Sequence, residues 1–289
     1  MCLAYPGKIV KIEGAEGEVD FGGFTKMAGE EDPGEPRSLA SKGTGARLLV
    51  LSAGSLMNGL TAFLLFSIAF MVPHSVVFEP VIVKDVAQNS PAALAGIEPG
   101  DTFLSINNKP INNTYDLLRA IQLNLGEEIT VQVQHSDSTI ENVQVIPRWK
   151  PPEGEGAIGI EIDLEAAQMN RTTASQSYPF WKAIPMGASS LIETLVLYKD
   201  GIVSLFIGTA SVQMAGPVGI AQITGEVAKS GISPLLEFTA IISLIIAIFN
   251  LFPIPALDGC RIGFVLLEWA RRGKRVSPKI EGRVHLVGF

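Results

Sequence analysis

The chain is apolar for its length, and its charges are unevenly distributed. Its 289 residues are 47% hydrophobic, with a mean hydropathy of +0.32 and a formal net charge of −7. This length leaves room for about two domains. The basic residues lie beside apolar segments, so nothing in the pattern indicates nucleic-acid binding. The two cysteines, Cys2 and Cys260, lie in unlike regions and do not suggest a disulfide framework.

Two segments are long and apolar enough to cross a bilayer. The first, within 46–73, contains 25 consecutive uncharged residues, and the second, within 216–260, contains 23 residues whose only charge before Asp258 is Glu237. Each exceeds the roughly 20 residues that span a hydrocarbon core. The sequence therefore predicts two transmembrane helices, the first preceded by a cytoplasmic loop over 24–45. The alternative is two buried helices of a soluble protein.

The charge pattern predicts an orientation for these helices. Residues 74–180 carry 14 acids and 6 bases, a net charge of −8, whereas residues 257–289 carry 3 acids and 7 bases, a net charge of +4. Basic flanks stay in the cytoplasm under the positive-inside rule. The acidic middle region is therefore expected on the opposite side of the membrane.

The sequence pattern over residues 77–165 predicts a small α/β module. β-Branched runs alternate with turn signals there, at Val81–Val86, Thr102–Ile106, Ile129–Gln134, Ile140–Ile146 and Ile158–Ile162. Helices are predicted over Ser90–Ala95, with Ser90 as N-cap and a proline after it, and over Thr114–Leu123.

This module resembles a PDZ domain of the bacterial kind. The resemblance rests on SPAALAGIEPGD at 90–101, where Gly96 and Gly100 permit tight turns. It implies that a peptide is added as a strand to an open sheet edge, predicted here as 81–86 beside the helix at 114–123. The expected peptide-binding residues are Val81, Ile82, Val83, Leu117, Leu118 and Ile121. The alternative is a module that shields the membrane site and binds no peptide.

The segments after the module are predicted as connections. Residues 166–215 indicate a linker followed by an amphipathic helix over 180–210, whose scattered charges favour an interfacial position. The run GPVGI at 216–220 predicts a turn before the second span. Residues 261–289 predict a basic cytoplasmic loop and the start of a truncated final span.

Asp258 stands at the end of the second apolar segment, in the run NLFPIPALDG at 250–259. A carboxylate at this position is costly to bury and indicates a functional site by default. The two prolines break the helix, and broken backbone at membrane depth must be lined by protein or by a water-filled cavity. The alternative is that Asp258 caps a helix and pairs with Arg261.

These runs, the PDZ-like insert and GGFTKMAGE at 22–30 together resemble the site-2 protease family. The resemblance implies an α-helical polytopic membrane protein with an inserted α/β PDZ-like domain, in a bacterial-type inner membrane. It implies zinc-dependent cleavage of single-span membrane proteins within the lipid bilayer. It also implies that Asp258 is the third zinc ligand, with water in a fourth position, and that Asn250 helps to hold the substrate backbone.

The sequence departs from the family at the other two zinc ligands, which come from a His-Glu-x-x-His helix. The three histidines, His74, His135 and His285, include no pair with that spacing and are predicted to be ordinary surface or interface residues. Ser55 stands where the family usually has proline, and Cys260 where a second glycine is usual. Cys260 could coordinate metal, although a lone buried thiol is more often inert.

Residues 1–23 resemble a different family, the HypC-type hydrogenase-maturation chaperones. The resemblance rests on MCLAYPGKIV at 1–10 and VDFGG at 19–23, and in that family the residue equivalent to Cys2 binds the iron centre under assembly. The fragment is too short to close that family's β-barrel. The chain is interpreted as a fusion or misjoined product that has lost the first protease helix and is inactive alone. The alternatives are a PDZ-mediated peptide-binding membrane protein without catalysis and a hydrogenase-maturation chaperone.

Overall fold

A computed structural model describes residues 8–13, 16–20, 39–209, 216–255 and 257–272. The strands are β1 Lys8–Glu13, β2 Glu16–Asp20, β3 His74–Phe78, β4 Val81–Val86, β5 Thr102–Ile106, β6 Lys109–Pro110, β7 Ile129–Gln134, β8 Ile140–Val145, β9 Ile160–Ile162 and β10 Thr172–Gln176. The helices are α1 Thr44–Met71, α2 Pro91–Leu94, α3 Thr114–Gln122, α4 Leu164–Met169, α5 Phe180–Ile207, α6 Pro217–Lys229, α7 Ile232–Leu251 and α8 Asp258–Ala270.

The chain divides into two compact units, one formed by residues 1–57 with 246–289 and the other by residues 58–245. Helices α1 and α7 contribute to both units. Among the described helices, these two have the length and the hydropathy needed to cross a membrane. Each is a long run of apolar residues without a strong polar face. The structure therefore contains both of the long apolar helices that the sequence predicted.

In the unit 58–245, the second half of α1 and the first half of α7 are antiparallel neighbours. The Ser233 hydroxyl donates a hydrogen bond to the Ala69 carbonyl at 3.0 Å, and the Ser243 hydroxyl donates to the Asn58 carbonyl at 3.0 Å. Serine hydroxyls commonly bond across closely packed apolar helices. These two bonds fix the register of the pair.

Helix α5 packs closely against α1. The Tyr178 N–H donates to the Phe70 carbonyl at 2.9 Å, and a Cβ placed on Gly187 would lie 2.3 Å from Ser67 Oγ and 2.7 Å from Ser67 N. Only glycine permits this approach of the two backbones. An interfacial position of α5 at a membrane stays a prediction.

The PDZ-like module is built on an antiparallel sheet of order β8-β7-β5-β4-β9, with β6 paired to β5. Strand β7 shows the expected period of two, because Ile129, Val131 and Val133 are fully buried and the residues between them are half-buried. Leu117 of α3 packs into the same core. The β-branched runs therefore form a sheet with one face covered by α3.

Local signals in this module are confirmed. The Ser90 hydroxyl accepts a hydrogen bond from the Ala93 N–H at 3.1 Å, as an N-cap does. The Asn113 side chain does the same for the Asp116 N–H at 2.9 Å. Gly96 and Gly100 have φ angles of +83° and +95°, which glycine adopts without steric cost.

Several segments predicted as loops are regular structure. The predicted linker contains the end of α4 and all of β10, and β10 pairs with β3 in an antiparallel ribbon. The predicted turn at 216–220 is the start of α6, with Gly216 as N-cap and Pro217 at a position that helices favour for proline. Residues 261–270 lie in α8. The pairing of β3 with β10 joins strands that are far apart in sequence, so no local pattern predicted it.

Strands β1 and β2 form an antiparallel hairpin, within the segment assigned to the chaperone-like start. Several predictions fall outside the described residues: Cys2, the run at 22–30, His285 and the end of the chain from residue 273.

Candidate metal site and peptide-binding surface

Asp258 is the first residue of α8 and follows the break after α7. Helix α7 ends at Leu251, and the chain turns through the two prolines before Leu257 takes an extended conformation as the N-cap of α8. The carboxylate is half-buried and lies at the end of the helix that favours negative charge. The N-cap of α8 is Leu257, whose apolar side chain makes no capping hydrogen bond. The alternative that Asp258 caps the helix and pairs with Arg261 remains a prediction.

Gly259 places this carboxylate against the end of α7. A Cβ at this position would lie 2.2 Å from the Phe252 carbonyl oxygen and 2.3 Å from the Leu251 carbonyl oxygen. Both neighbours are backbone atoms, so a side chain at 259 would push the two helices apart. The glycine of the Leu-Asp-Gly run therefore determines where Asp258 stands.

Asn250 lies on the last turn of α7 and is half-buried. Cys260, beside Asp258 and Gly259 in the first turn of α8, is buried. The structure thus carries Asn250, Asp258 and Cys260 on the two sides of one helix break. It assigns no role to Asn250 or Cys260, and both remain predictions.

The described residues do not make a complete zinc site. A catalytic zinc takes three protein ligands, and the part of the chain that the structure describes holds no group of three or more His, Cys, Asp or Glu side chains able to bind a metal. His74 contacts the Val72 carbonyl at 3.0 Å through Nδ1 and lies beside the rings of Phe70 and Tyr178. It is an aromatic-cluster residue in this structure. The described residues thus do not give Asp258, the predicted ligand, the set of further donors that a catalytic zinc requires.

His135 is held between two carboxylates in the PDZ-like module. Its Nδ1 lies 2.9 Å from Asp101 Oδ1, and its Nε2 lies 3.3 Å from Glu141 Oε2. Asp101 is buried and also accepts the Glu98 N–H at 2.9 Å. The hydrogen bond to Asp101, followed by that to Glu141, raises the pKa of His135 above its ordinary value. The imidazole thus ties the β7–β8 turn to the start of β5.

The predicted peptide-binding edge is wrong in its placement. Strand β4 is paired on both sides, with β5 through Val81 and with β9 through Val83. Val81, Val83, Leu117 and Ile121 belong to the buried core, and of the predicted α3 residues only Leu118 is well exposed. The sheet instead ends at β9 on this side. The sequence alone does not show that β4 is covered, because its partner β9 lies about 80 residues later in the chain.

A cavity of about 920 Å³ in the unit 58–245 was not predicted. The last turns of α1, the start of α7, α5 and the PDZ-like module all line it. On its wall, Glu193 of α5 accepts a hydrogen bond from Lys109 Nζ at 2.8 Å through Oε1 and lies 3.0 Å from Arg119 Nη2 through Oε2. The carboxylate therefore joins α5 to β6 and to α3. The order of charges along the sequence cannot show these two ion pairs, since the partners of Glu193 are 74 and 84 residues away.

The described fold combines two apolar helices of membrane-spanning length with a PDZ-like module between them in the sequence. Comparison gives the family: Peptidase family M50 matches residues 17–289, and the chain belongs to this family, the site-2 proteases. A provisionally named zinc metalloprotease from Rhizobium meliloti is 32% identical over 94% of this chain and 77% of its own length. One from Clostridium acetobutylicum is 33% identical over 98% of this chain and 81% of its own length.

A third relative, the regulator of sigma-W protease RasP of Bacillus subtilis, is 30% identical over 92% of this chain and 61% of its own length. Among solved structures, the PDZ domain of an SdrC-like protein from Listeria monocytogenes is similar over 30% of this chain and 90% of its own, with 20% identity and a TM-score of 0.26. The metal of the family is zinc, as the names of the relatives state.

Proposed function

We propose that this chain is the membrane-embedded and PDZ-containing part of a site-2-type zinc endopeptidase that cleaves single-span membrane proteins within the bilayer. The observation that carries the proposal is the Leu-Asp-Gly helix break, which presents Asp258 beside the carbonyl end of α7 in a chain matched by Peptidase family M50 over residues 17–289. Asp258 supplies one zinc ligand, and Asn250 on the preceding turn holds substrate backbone. Helices α1 and α7 embed the site in a bacterial-type inner membrane.

The full zinc site needs donors beyond those of this chain. Residues 1–289 contain no His-x-x-x-His pair, so in this proposal the other two ligands come from a His-Glu-x-x-His helix outside these residues. The chain alone is therefore inactive. The acidic PDZ-like module lies outside the cytoplasm, because both basic flanks of the spans stay inside.

The test is reconstitution with a helix that carries His-Glu-x-x-His, taken from an M50 relative and co-expressed with the full chain in bacterial membranes. We expect no stoichiometric zinc and no cleavage of a single-span reporter by the chain alone, and one zinc with cleavage by the pair. Asp258→Ala should abolish both. The matched control is Glu226→Gln, which removes an exposed carboxylate of α6 and should change neither.

Two results would contradict this proposal. Zinc binding and cleavage by the chain alone would show that its own residues complete the site. A pair that binds zinc equally well with Asp258→Ala would remove Asp258 from the ligand set.

A second candidate function is peptide binding without catalysis, and the free edge of the sheet favours it. Among the described strands, β9 at residues 160–162 has a partner on one side only, and Leu118 is 50% exposed on α3. Extended peptides bind PDZ domains by pairing with such an edge. Peptide binding that is lost when Ile160 is changed to proline, and unaffected by Asp258→Ala, would support this function. Proline removes one backbone donor from the edge.

A further inference from the structure

Glu237 is a carboxylate within an otherwise apolar helix. It lies in the second turn of α7, half-buried, and lines the cavity of about 920 Å³. An ionisable residue in such a segment faces a partner or a water-filled space, because exposure to hydrocarbon is costly. Its place on the cavity wall therefore raises the question of what neutralises it.

The described residues supply no ion-pair partner for Glu237. The Ser233 hydroxyl, one turn before it, donates its single proton to the Ala69 carbonyl at 3.0 Å. His74 and Arg119 act on Glu237 electrostatically, and the Ser233 side chain lies within hydrogen-bond reach of it. The guanidinium of Arg119 already contacts Glu193 through Nε at 3.1 Å and Nη2 at 3.0 Å. Glu237 thus lines the cavity without a salt bridge to any of the described residues.

The other acids of the cavity are occupied. Glu193 is shared by two cations, Asp116 accepts the Asn112 N–H at 3.1 Å, and Glu79 accepts the Thr114 N–H at 3.3 Å. The lining contains four acidic and three basic residues, a net charge of −1: Glu79, Asp116, Glu193 and Glu237 against Lys109, Arg119 and Arg171. Such a cavity complements a cation and disfavours a phosphate or a carboxylate.

The floor beside Glu237 is apolar. Phe66 and Phe70 come from the last turns of α1, and Ile241 stands one turn after Glu237 on α7. A long apolar stem that ends in a positive charge fits this arrangement, as lysine and arginine side chains do at membrane boundaries. The volume has room for several residues of a polypeptide, within the range of ordinary ligand pockets.

We propose that Glu237 binds a lysine or arginine side chain of a membrane-inserted polypeptide, at the end of its span that adjoins the PDZ-like module. The inference rests on the proposed function only in taking that polypeptide to be a substrate. Because basic residues flank spans chiefly on the cytoplasmic side, a carboxylate at the opposite end selects a minority of membrane proteins. Glu237 is then a specificity-determining residue.

The test measures binding and requires neither zinc nor cleavage, so failed proteolysis does not affect it. The full chain in phosphatidylcholine nanodiscs is titrated with a fluorescent single-span peptide that carries lysine at its outer boundary, or glutamine at the same position. We expect about tenfold tighter binding of the lysine peptide, the size of one close charge pair in a partly desolvated site. Glu237→Gln should remove the preference, Glu237→Asp should keep most of it, and Glu226→Gln on α6 should leave it unchanged.

Three outcomes would overturn the proposal. One is a lysine preference that survives Glu237→Gln, and another is equal binding of the two peptides to the unchanged chain. The third is that the cation comes from a lipid. In nanodiscs with phosphatidylethanolamine, the site would be assigned to the lipid ammonium if retention of that lipid depended on Glu237 and the peptide preference did not. Melting temperatures of the variants, equal to that of the unchanged chain, would show that any loss reflects binding.

Discussion

Changing Glu193 to glutamine should release the PDZ-like module from α5. The carboxylate is 24% exposed and holds Arg119, which is 26% exposed, and Lys109, which is 70% exposed. An exposed lysine pair contributes about 0.2–1 kcal/mol. The arginine contact is more buried, and removal of its partner leaves a half-buried guanidinium unpaired. After a discount for solvent screening, the two ion pairs of Glu193 together contribute about 1–2 kcal/mol to stability.

The assay is hydrogen exchange of the full chain in detergent. A change of about 1.4 kcal/mol is tenfold in an equilibrium constant, so we expect amides of α5 around Glu193 and of α3 to exchange about tenfold faster in the variant. The matched control is Glu161→Gln, which removes an ion pair with Lys84 whose partners are both more than half exposed. That change should alter exchange by about twofold or less. Equal effects of the two variants, or no effect of Glu193→Gln, would refute the reasoning.

The two ion pairs of Glu193 also make the stability of the chain depend on pH. Burial by itself raises the pKa of Glu193, but the hydrogen bond from Lys109 and the charge of Arg119 outweigh it and lower the pKa below the ordinary value of 4.5. A group with a depressed folded pKa contributes its full stability above the unfolded pKa and loses it as the pH falls through the folded value. The exchange difference between the variant and the unchanged chain should therefore be full at pH 6 and should shrink below pH 4.5.

Two further predictions concern other contacts. The raised pKa of His135 means that its contribution to stability is full below about pH 6.5 and is lost as the pH rises through the folded pKa. Thermal melts of the full chain between pH 5.5 and 8.5 should show this loss, and His135→Gln should abolish it. An unchanged pH profile in that variant would contradict the assignment. Gly259→Ala should lower the free energy of unfolding by about 1–3 kcal/mol, because the added Cβ would meet backbone atoms. The control is Gly263→Ala, which should have little effect because nothing lies within 4 Å of its Cβ position. Equal melting temperatures for both variants would refute the close packing at residue 259.

The features that the sequence predicted correctly depend on neighbouring residues. The absence of charge over 25 residues defined α1, and the alternation of Ile129, Val131 and Val133 defined β7. Ser90 marked a helix start through a hydrogen bond three residues away. Each signal acts within one turn or one strand, so it can be recognised without knowledge of the fold. The family resemblance around Asp258 is of the same kind, a short run with fixed spacing.

The sequence by itself determined the two long apolar helices, the PDZ-like module and the carboxylate of the helix break, whereas the tertiary structure decided which surfaces are free. Whether β4 is an edge depends on β9, and only the pairing of Val83 with Ile162 shows that it is covered. Likewise, Glu193 and Glu237 look like similar isolated acids in the sequence. Packing gives Glu193 two cations and leaves Glu237 facing a cavity. Long-range pairing is set by how elements pack, and no local pattern specifies it.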